Sequence, residues 1–446
     1  MINQGTGLRA RVKGVIRLCS GHLLVRNTMW MIAGQGVMLA TKAVYFVEIA
    51  RSLGVHNYGA FVGVAALVGI ASPFGALGSG NLLIRGVSRN AGSFRECWGR
   101  SLSVTFCCGL ALLASVLLLA RFVLNAEIPL SLVALVGVSD ILGLNIITLA
   151  GQAFTAFEQL KWTAAIWITM SAARLCGALI LVVAYPHPSA LQWGYLYCGG
   201  NLTVALAAFL LVCHRLGRPE FHWPIRVDDV RDGIYFSISL SAETLYNDID
   251  KTMLARLATL DAAGVYAAAY RLIDVSTVPI AALLASAYSK LFRVGLGGIG
   301  STFAYTGRLL IRSLAYASVV CILLLWCAGL IPFILGPGYA DTVIALRWLS
   351  VLPVLKSVHY FLADTLTGAD YQRLRSLIQV SVAGFNILIN LWVIQAFSWR
   401  GAAWSSIASD GLLACALGIA VLVLKRQDAA SRQALGKAVV EAGIGI

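Results

Sequence analysis

The sequence predicts an all-α, polytopic membrane protein with about 12 transmembrane helices in two six-helix bundles around a central cleft. Hydrophobic residues make up 59% of the 446 residues and charged residues only 12%, whereas soluble domains carry about 25% charge. Apolar runs long enough to cross a hydrocarbon core of about 30 Å recur along the whole chain. Composition and run length together therefore favour a chain that crosses the membrane many times.

The first segment of the chain, 1–27, is basic and lacks the pattern of a short secretory signal peptide. Its positive charges are Arg9, Arg11, Lys13, Arg17 and Arg26. Such a stretch is typical of an amphipathic segment that lies against anionic lipid headgroups. Anionic membrane lipid is therefore an expected partner of this cytoplasmic segment.

Two sets of apolar runs follow, separated by the longest polar stretch between them. We predict an N-terminal six-helix bundle at 28–213, a cytoplasmic linker at 214–232, a C-terminal six-helix bundle at 233–424 and a cytoplasmic tail at 425–446. The individual spans lie near 28–50, 59–84, 101–124, 129–152, 163–184, 191–213, 233–255, 264–289, 309–335, 342–366, 374–396 and 401–424.

Lysine and arginine are distributed unevenly between the two sides of these spans. The basic residues predicted outside are few, namely Arg51, Arg121, Arg256 and Arg400. Such asymmetry places both termini in the cytoplasm. The net charge of +14 is then mostly a matter of topology, and no nucleic-acid partner is expected.

The two halves carry related patterns at matching positions. Arg51 and Gly59 at the first junction have the same spacing as Arg256 and Gly264 at the seventh. An even number of spans per half makes such repeats parallel, and substrate sites of transporters commonly lie between repeats. The pattern therefore predicts a site between the two bundles.

Several basic residues interrupt the apolar runs, where a cation costs about 2.5–3.5 kcal/mol on insertion scales. They are Lys42, Arg174, Lys251, Arg271, Arg312, Arg347 and Lys356. Arg312 and Arg347 lie near span ends and are expected to extend to the interface. The others predict a polar interior that handles an anionic cargo.

Polar residues follow one face of three spans, as expected for helices that line a water-filled space. These faces comprise Ser239, Glu243, Asn247 and Asp250 on the seventh span, Tyr266, Tyr270, Asp274 and Thr277 on the eighth, and Gln35, Lys42 and Tyr45 with the adjacent Glu48 on the first. Asp140 and Asp410 lie in the middle of other spans and are interpreted either as hydrogen-bonding groups within a bundle or as ion sites.

Two other residue types have simpler interpretations. The ten cysteines show no metal-ligand spacing and are expected to be packing residues. The tryptophans near predicted interfaces are expected to form aromatic belts. They are Trp30, Trp98, Trp162, Trp193 and Trp399.

Four stretches, in order, resemble the O-antigen and exopolysaccharide flippases of the multidrug/oligosaccharidyl-lipid/polysaccharide exporter superfamily. They are ARSLGVHNYGAF (50–61), NDIDKTMLARLATLDAAGVYAAAYRLID (247–274), LGPGYADTVIALRWLSVL (335–352) with LTGADYQRLRSL (366–377), and NILINLWVIQAFSWRGAAWSSIASDG (386–411). The resemblance covers about residues 25–425, with one departure at 398–401, where the family more often has a Tyr-Gly turn.

The resemblance implies a multi-pass protein of the bacterial inner membrane that flips undecaprenyl-diphosphate-linked oligosaccharide from the inner to the outer leaflet by alternating access. It implies no catalysis, no cofactor and no metal. A lipid-linked oligosaccharide is the implied substrate, and polysaccharide polymerase and chain-length machinery are the further partners we expect.

On this hypothesis, cations bind the diphosphate headgroup and tyrosines pack against sugar rings. The candidate substrate-binding residues are Lys42, Lys251 and Arg271, the more distant Arg174 and Lys356, and Tyr45, Tyr266 and Tyr270. The candidate charge-pairing residues are Glu48, Glu243, Asn247, Asp250 and Asp274. The acidic groups either hold the cations in place, as structural pairs such as Asp250–Lys251 and Arg271–Asp274, or bind a proton or sodium ion that drives the cycle.

Two alternatives remain. A multidrug or cation antiporter of the same fold is disfavoured by the basic interior. A membrane polymerase or glycosyltransferase needs a sizeable loop to present catalytic groups, and the predicted outer loops, such as 186–188 and 336–338, are tight turns. No nucleotide-binding motif occurs in the sequence either.

Overall fold

A computed structural model describes residues 5–221 and 227–441 of the chain. Within these ranges the regular structure is helical and no strand occurs. Large apolar side chains face outward along the helices, such as Val183 at 87% exposure, Trp326 at 85% and Leu118 at 75%. Since water would not tolerate so much apolar surface, this exterior is suited to lipid.

The N-terminal half, α1 to α7, follows the order of the predicted spans. Its helices are α1 (Gly5–Ala76), α2 (Ser79–Arg89), α3 (Phe94–Val123), α4 (Leu130–Gly137), α5 (Asn145–Ala156), α6 (Leu160–Ala184) and α7 (Ala190–Arg215). A π-helical segment, Val138–Leu144, joins α4 to α5.

The C-terminal half contains the remaining helices, and several of its spans consist of two pieces. Its helices are α8 (Val227–Leu257), α9 (Leu260–Gly295), α10 (Ile299–Cys327), α11 (Ile331–Leu335), α12 (Ala340–Leu349), α13 (Leu352–Gly368), α14 (Gln372–Phe397) and α15 (Trp399–Glu441). Helix α8 begins inside the predicted linker 214–232, since Asp228 and Asp229 suit the first turn of a helix.

The predicted spans match these helices to within about one residue at their ends, but four of them, 59–84, 129–152, 309–335 and 342–366, are divided between two or more helical pieces. In the described ranges, nine segments are long and apolar enough to cross a membrane, and a tenth qualifies if α12 and α13, bent by 43°, count as one. The first two predicted spans form one segment, Ala40–Ser88, in this count. Helix α8, which carries Asp248, Asp250 and Lys251, is not among these segments, and most side chains in its first half lie outside the described set. The chain is thus a multi-pass membrane protein.

Helix α1 consists of two arms. Gly54 has φ 71° and ψ 168°, which breaks the helix between the first two predicted spans. A second break follows at Leu77 and Gly78, whose φ angles are 42° and 59°. The segment before the first arm, from Gly5 to residue 27, continues the helix of the first span, with side chains outside the described set.

The two halves touch where the second arm of α1 begins. A Cβ atom at Gly59 would lie 1.8 Å from the carbonyl oxygen of Leu260, and one at Gly264 would lie 2.1 Å from that of Val55. Only glycine permits backbones to approach this closely. We call this contact the glycine crossing; it unites the two glycines whose spacing matches in the two halves.

Hydroxyl groups of α8 bind carbonyl oxygens along the second arm of α1. Thr252 donates to Gly63 over 3.3 Å, and Ser241 donates to Ile70 over 2.8 Å. Ser237 donates to the carbonyl of Pro73 over 2.8 Å. The second arm therefore packs antiparallel to α8 from the glycine crossing to the vicinity of its break.

The predicted aromatic belt is wrong for several tryptophans. Trp98 and Trp193 are fully buried, and Trp399 is only 7% exposed. Trp193 packs against Tyr45, Phe61 and other rings of the core at centroid distances near 6 Å, such as 5.7 Å to Tyr45. A tryptophan that lies on the helix face directed at a neighbouring helix fills the core instead of reaching the interface.

Candidate functional site

Three of the predicted cations meet where the halves face each other. Arg174 on α6 and Arg271 on α9 both lie within electrostatic range of Lys42 on the first arm of α1. Lys42 and Arg271 have exposed side chains. In the part of the chain that the structure describes, no ion pair joins either of these two residues to a carboxylate. We call Lys42, Arg174 and Arg271 the cation cluster.

Arg174 is attached to a hydrogen-bonded network within the N-terminal half. Its Nη2 donates to the Tyr197 hydroxyl over 2.9 Å, and its Nε donates to Asn201 Oδ1 over 3.3 Å. The Tyr197 hydroxyl in turn donates to Asp140 Oδ1 over 2.9 Å. The guanidinium is therefore linked to this carboxylate through a hydroxyl group.

The π-helical segment Val138–Leu144 positions Asp140. Such segments insert an extra residue into a turn and are often found at functional sites. Ser139 donates to Asp140 Oδ1 over 3.1 Å, and Asn201 does so over 3.4 Å. Ser72 on α1 donates to the Asp140 carbonyl over 3.0 Å, which ties the network to the second arm.

Lys251 is buried in the C-terminal half, at 7% exposure. Its ammonium pairs with Asp248 and lies 4.7 Å from the centre of the Tyr270 ring. Asp250 instead accepts the backbone N–H of Lys251 over 2.9 Å and the Tyr266 hydroxyl. The carboxylate that neutralises Lys251 is thus Asp248, which lies beside the predicted polar face of the seventh span.

Lys356 is buried even more completely, at 1% exposure. Its Nζ lies 3.7 Å from Asp410 Oδ2 and 5.6 Å from the centre of the Tyr270 ring. Tyr246 also donates to Asp410. Lys356 therefore already has a counter-ion inside the C-terminal half.

The remaining charge-pairing candidates are less tightly bound. Asp274 lies within electrostatic range of Lys251, Lys356 and Arg271, yet forms no ion pair among the described residues. A direct Arg271–Asp274 pair, one of the alternatives, is therefore not formed in this conformation. Glu48 is half-buried, and the side chain of Glu243 lies outside the described residues.

The candidate tyrosines are mostly covered in this conformation. Tyr266 and Tyr270 are 0% and 4% exposed, with ring centres 5.5 Å apart. Tyr45 is half-buried against Trp193. Asn247 is half-buried as well, and its carbonyl lies 3.5 Å from Lys251 Nζ. A sugar ring has access to these tyrosines only after the helices rearrange, so their role in substrate binding stays a prediction.

Sequence reasoning missed several members of these networks. Tyr197 and Asn201 lie four residues apart on the same face of α7, so helical periodicity alone predicts that they act together. His359, within 3.5 Å of Asp410, had no such signal because it is a single histidine in an apolar run. Asp140 and Asp410 proved to be hydrogen-bonded inside their bundles, and Asp410 also pairs with a cation.

Solved structures with the same fold are membrane transporters. The chain has a TM-score of 0.71 with the inward-facing conformation of a multidrug resistance transporter of the MATE family and MOP superfamily, at 14% identity over 87% of this chain and 96% of that one. It has the same TM-score with the lipid II flippase MurJ in an inward closed conformation, at 10% identity over 87% of each chain. A MOP superfamily transporter from Pyrococcus furiosus, described as having a binding pocket of reverse polarity, gives 0.58 at 14% identity over 88% of this chain and 95% of that one.

Sequence comparison assigns the family. No curated protein matches the chain. The model of a family described as "Polysaccharide biosynthesis protein" matches residues 24–288, which is more than half of the chain. The protein therefore belongs to the polysaccharide biosynthesis family and has the two-bundle fold of membrane transporters and flippases.

Proposed function

We propose that the protein flips undecaprenyl-diphosphate-linked oligosaccharide from the inner to the outer leaflet of the bacterial inner membrane, with both termini in the cytoplasm. Its family and its transporter fold support movement of a polysaccharide precursor across the membrane. The observation that supports an anionic headgroup as the bound group is the cation cluster, in which Lys42 and Arg271 have no ion-pair partner among the described residues.

The five candidate cations separate into two classes. Lys251 and Lys356 are buried and neutralised by Asp248 and Asp410, so an added anion gains little from them. Lys42 and Arg271 are exposed, come from different halves and repel each other. A diphosphate between them relieves this repulsion and connects the two halves.

Electrostatic magnitudes favour this location. At 4 Å, two opposite unit charges attract by about 1 kcal/mol in water and by about 4 kcal/mol at an effective dielectric constant of about 20. Arg271 adds directional specificity for phosphate, because a guanidinium binds phosphate oxygens through two parallel N–H donors. The headgroup would thus be held in the cleft while the prenyl chain remains in lipid.

Deletion and complementation test the function. We expect a deletion strain to accumulate lipid-linked oligosaccharide on the inner leaflet, and we expect wild type but not Lys42→Gln to reverse this. Lys42→Arg keeps the charge and should restore most transport, whereas Arg312→Gln, at an exposed cation outside the cluster, should behave as wild type. Normal surface polysaccharide in the deletion strain would contradict the proposal.

Direct binding tests the headgroup. Purified protein should bind undecaprenyl diphosphate, and Lys42→Gln or Arg271→Gln should weaken binding by roughly ten-fold or more, since one charge-assisted hydrogen bond contributes about 1.5–3 kcal/mol. Undecaprenyl monophosphate should bind more weakly than the diphosphate. Equal affinity for both lipids would mean that the cluster does not recognise a diphosphate.

The antiporter alternative makes the opposite prediction. A cluster of three cations repels cationic drugs, so overexpression should leave susceptibility to such drugs unchanged. A rise in resistance that Lys42→Gln enhances would favour the antiporter. Polymerase and chain-length proteins are the proposed partners in the membrane, and co-purification from the native organism would test that association.

A further inference from the structure

A second polar cluster lies inside the C-terminal half and is not part of the cation cluster. His359 on α13, Asp410 on α15 and Lys356 on α13 are 2%, 3% and 1% exposed. His359 Nε2 lies 3.5 Å from Asp410 Oδ1, and Lys356 Nζ lies 3.7 Å from Asp410 Oδ2. One carboxylate is thus shared between two nitrogen groups, and neither contact is tight.

The cluster is incompletely satisfied. Among the described residues, neither ring nitrogen of His359 has a hydrogen-bond partner, and neither does Asp410 Oδ2. A buried polar atom without a partner costs about 1–3 kcal/mol. Half of the six buried side-chain nitrogen and oxygen atoms without a hydrogen-bond partner in the described residues belong to this cluster, which indicates a site that can bind a further ligand.

The chemistry of the cluster selects the ligand. The ammonium of Lys356 beside Asp410 repels a metal cation. A proton on His359 Nε2, by contrast, converts the 3.5 Å contact with Asp410 into a charge-assisted hydrogen bond without requiring new space. Histidine is also the side chain whose charge changes most readily near neutral pH.

We propose that His359 and Asp410 form a proton-binding site. Its occupancy controls the strength of the ion pair between Asp410 and Lys356. One proton enters and forms one N–H bond on His359, and no other covalent bond changes. Asp410 then turns toward the imidazolium and loosens its hold on Lys356. Deprotonation to water reverses the change.

Other elements pack against this site and contribute titratable or charged groups. They are Tyr246, Asp250 and Lys251 on α8, Tyr266, Tyr270 and Asp274 on α9, Tyr360 on α13 itself and Arg375 on α14. Arg375 is occupied by Asp364 over 3.2 Å. Asp410 is therefore the carboxylate in direct contact with His359, and it governs the response.

A physical route connects the proton site to the cation cluster. The Lys356 ammonium lies over the ring of Tyr270, the residue that precedes Arg271 on α9. Helix α13 is also the second piece of a span bent by 43°, with Pro353 in its first turn. A bent span contains backbone that can shift without breaking a continuous helix. Coupling of the proton to transport rests on the proposed function, whereas the proton site itself does not.

Titration by NMR tests the site. The protein carries six histidines, which can be labelled with ¹³C at ε1, and His359→Gln assigns the buried one. Single Gln substitutions of the other histidines assign it by elimination if that variant does not fold. We expect the His359 signal to shift when the pH is varied across the range in which the protein stays folded. A His359 signal of the wild-type protein that does not change across this range would by itself overturn the proposal, without any variant.

Two variants should move the midpoint in opposite directions. Asp410→Asn removes the stabilising carboxylate and should lower it by roughly one pH unit or more, and Lys356→Gln removes the competing cation and should raise it. His214→Gln, at an exposed position near the end of α7, is the matched control and should move nothing. An unchanged midpoint in both cluster variants would also overturn the proposal.

Transport separates the two proposals. In proteoliposomes, His359→Gln should retain undecaprenyl diphosphate binding and lose the acceleration of flipping by an imposed pH gradient. If this lipid does not bind the wild type but His359 titrates, the proposed function is wrong and the proton site stands. If the lipid binds and His359 does not titrate, the proton site is wrong and the proposed function stands.

Discussion

Each half of the molecule buries a carboxylate next to a cation, but the two are satisfied in different ways. Asp140 in the N-terminal half accepts from Tyr197, Ser139 and Asn201, and its link to Arg174 passes through a hydroxyl. Asp410 in the C-terminal half accepts from Tyr246 and faces a lysine and a histidine directly, and its Oδ2 has no donor among the described residues. A fully satisfied network holds one arrangement, whereas an under-satisfied one has a second arrangement available.

The difference between the two networks indicates that they have different roles. The N-terminal network fixes the position of Arg174 in the cation cluster, and the C-terminal network responds to a proton. Variants that remove single groups from the two networks should therefore differ in size and kind.

The largest effect is expected from Lys356→Met. Asp410 would remain as an uncompensated buried charge, which typically costs about 3–5 kcal/mol. The melting temperature in detergent should fall strongly. The double variant Lys356→Met/Asp410→Leu should recover much of the loss, because an apolar pair of similar volume needs no counter-ion. If single and double variants were equally unstable, the pair would not be the source of the effect.

Tyr197→Phe should cost less, about 1.5–3 kcal/mol, because it removes one hydroxyl that binds two charged groups. Ser139 and Asn201 still donate to Asp140. The measurement is again thermal unfolding, together with undecaprenyl diphosphate binding, which should weaken as Arg174 loses its support. A matched control is Tyr195→Phe, an exposed tyrosine on the same helix. Equal losses from both would show that the hydroxyl bridge contributes nothing.

Gly59→Ala and Gly264→Ala test the contact that the halves share, and each should cost about 1–3 kcal/mol through overpacking. The added Cβ meets backbone oxygen in both cases, so the two losses should be similar. Gly329→Ala, where nothing lies within 4 Å, is the control and should not destabilise the protein. A harmless Gly59→Ala would mean that the halves are not in contact there.

The smallest stability effect is expected from Lys42→Gln. Its ammonium has no ion pair among the described residues and is repelled by Arg174 and Arg271, so the change should stay within about 0.5 kcal/mol. Flipping should nevertheless be lost. A protein that unfolds at a much lower temperature with Lys42→Gln would show a structural role for this lysine and remove the main support for the anion site.

The order of the helices could be predicted from the sequence because apolar run length is a local property. The breaks inside spans were harder to locate, since the bend between α12 and α13 depends on neighbouring helices as well as on Pro353. The buried positions of Trp98 and Trp193 were missed for the same reason: the sequence places a residue at a span end but does not show which neighbour covers it.

The pairing of the candidate cations shows even more clearly that the sequence does not reveal which residues become neighbours in the fold. Asp248 lies three residues before Lys251, so helical spacing alone predicts that the two side chains can pair. The partner of Lys356 lies on another helix, so only the packed fold could identify it. The separation of the cations into paired and unpaired groups likewise follows from tertiary distances, which no composition or periodicity contains.

The glycine crossing has a mechanical consequence. At the glycine crossing the two backbones touch directly, and we expect this point to act as a pivot when one bundle tilts against the other. Lys42 lies about 18 Å along the first arm from the break at Gly54, at about 1.5 Å per residue, so a tilt of about 15° would displace it by about 5 Å. A displacement of this size would separate a lysine from a phosphate oxygen, so on the proposed function a small rotation at the two glycines would release the headgroup.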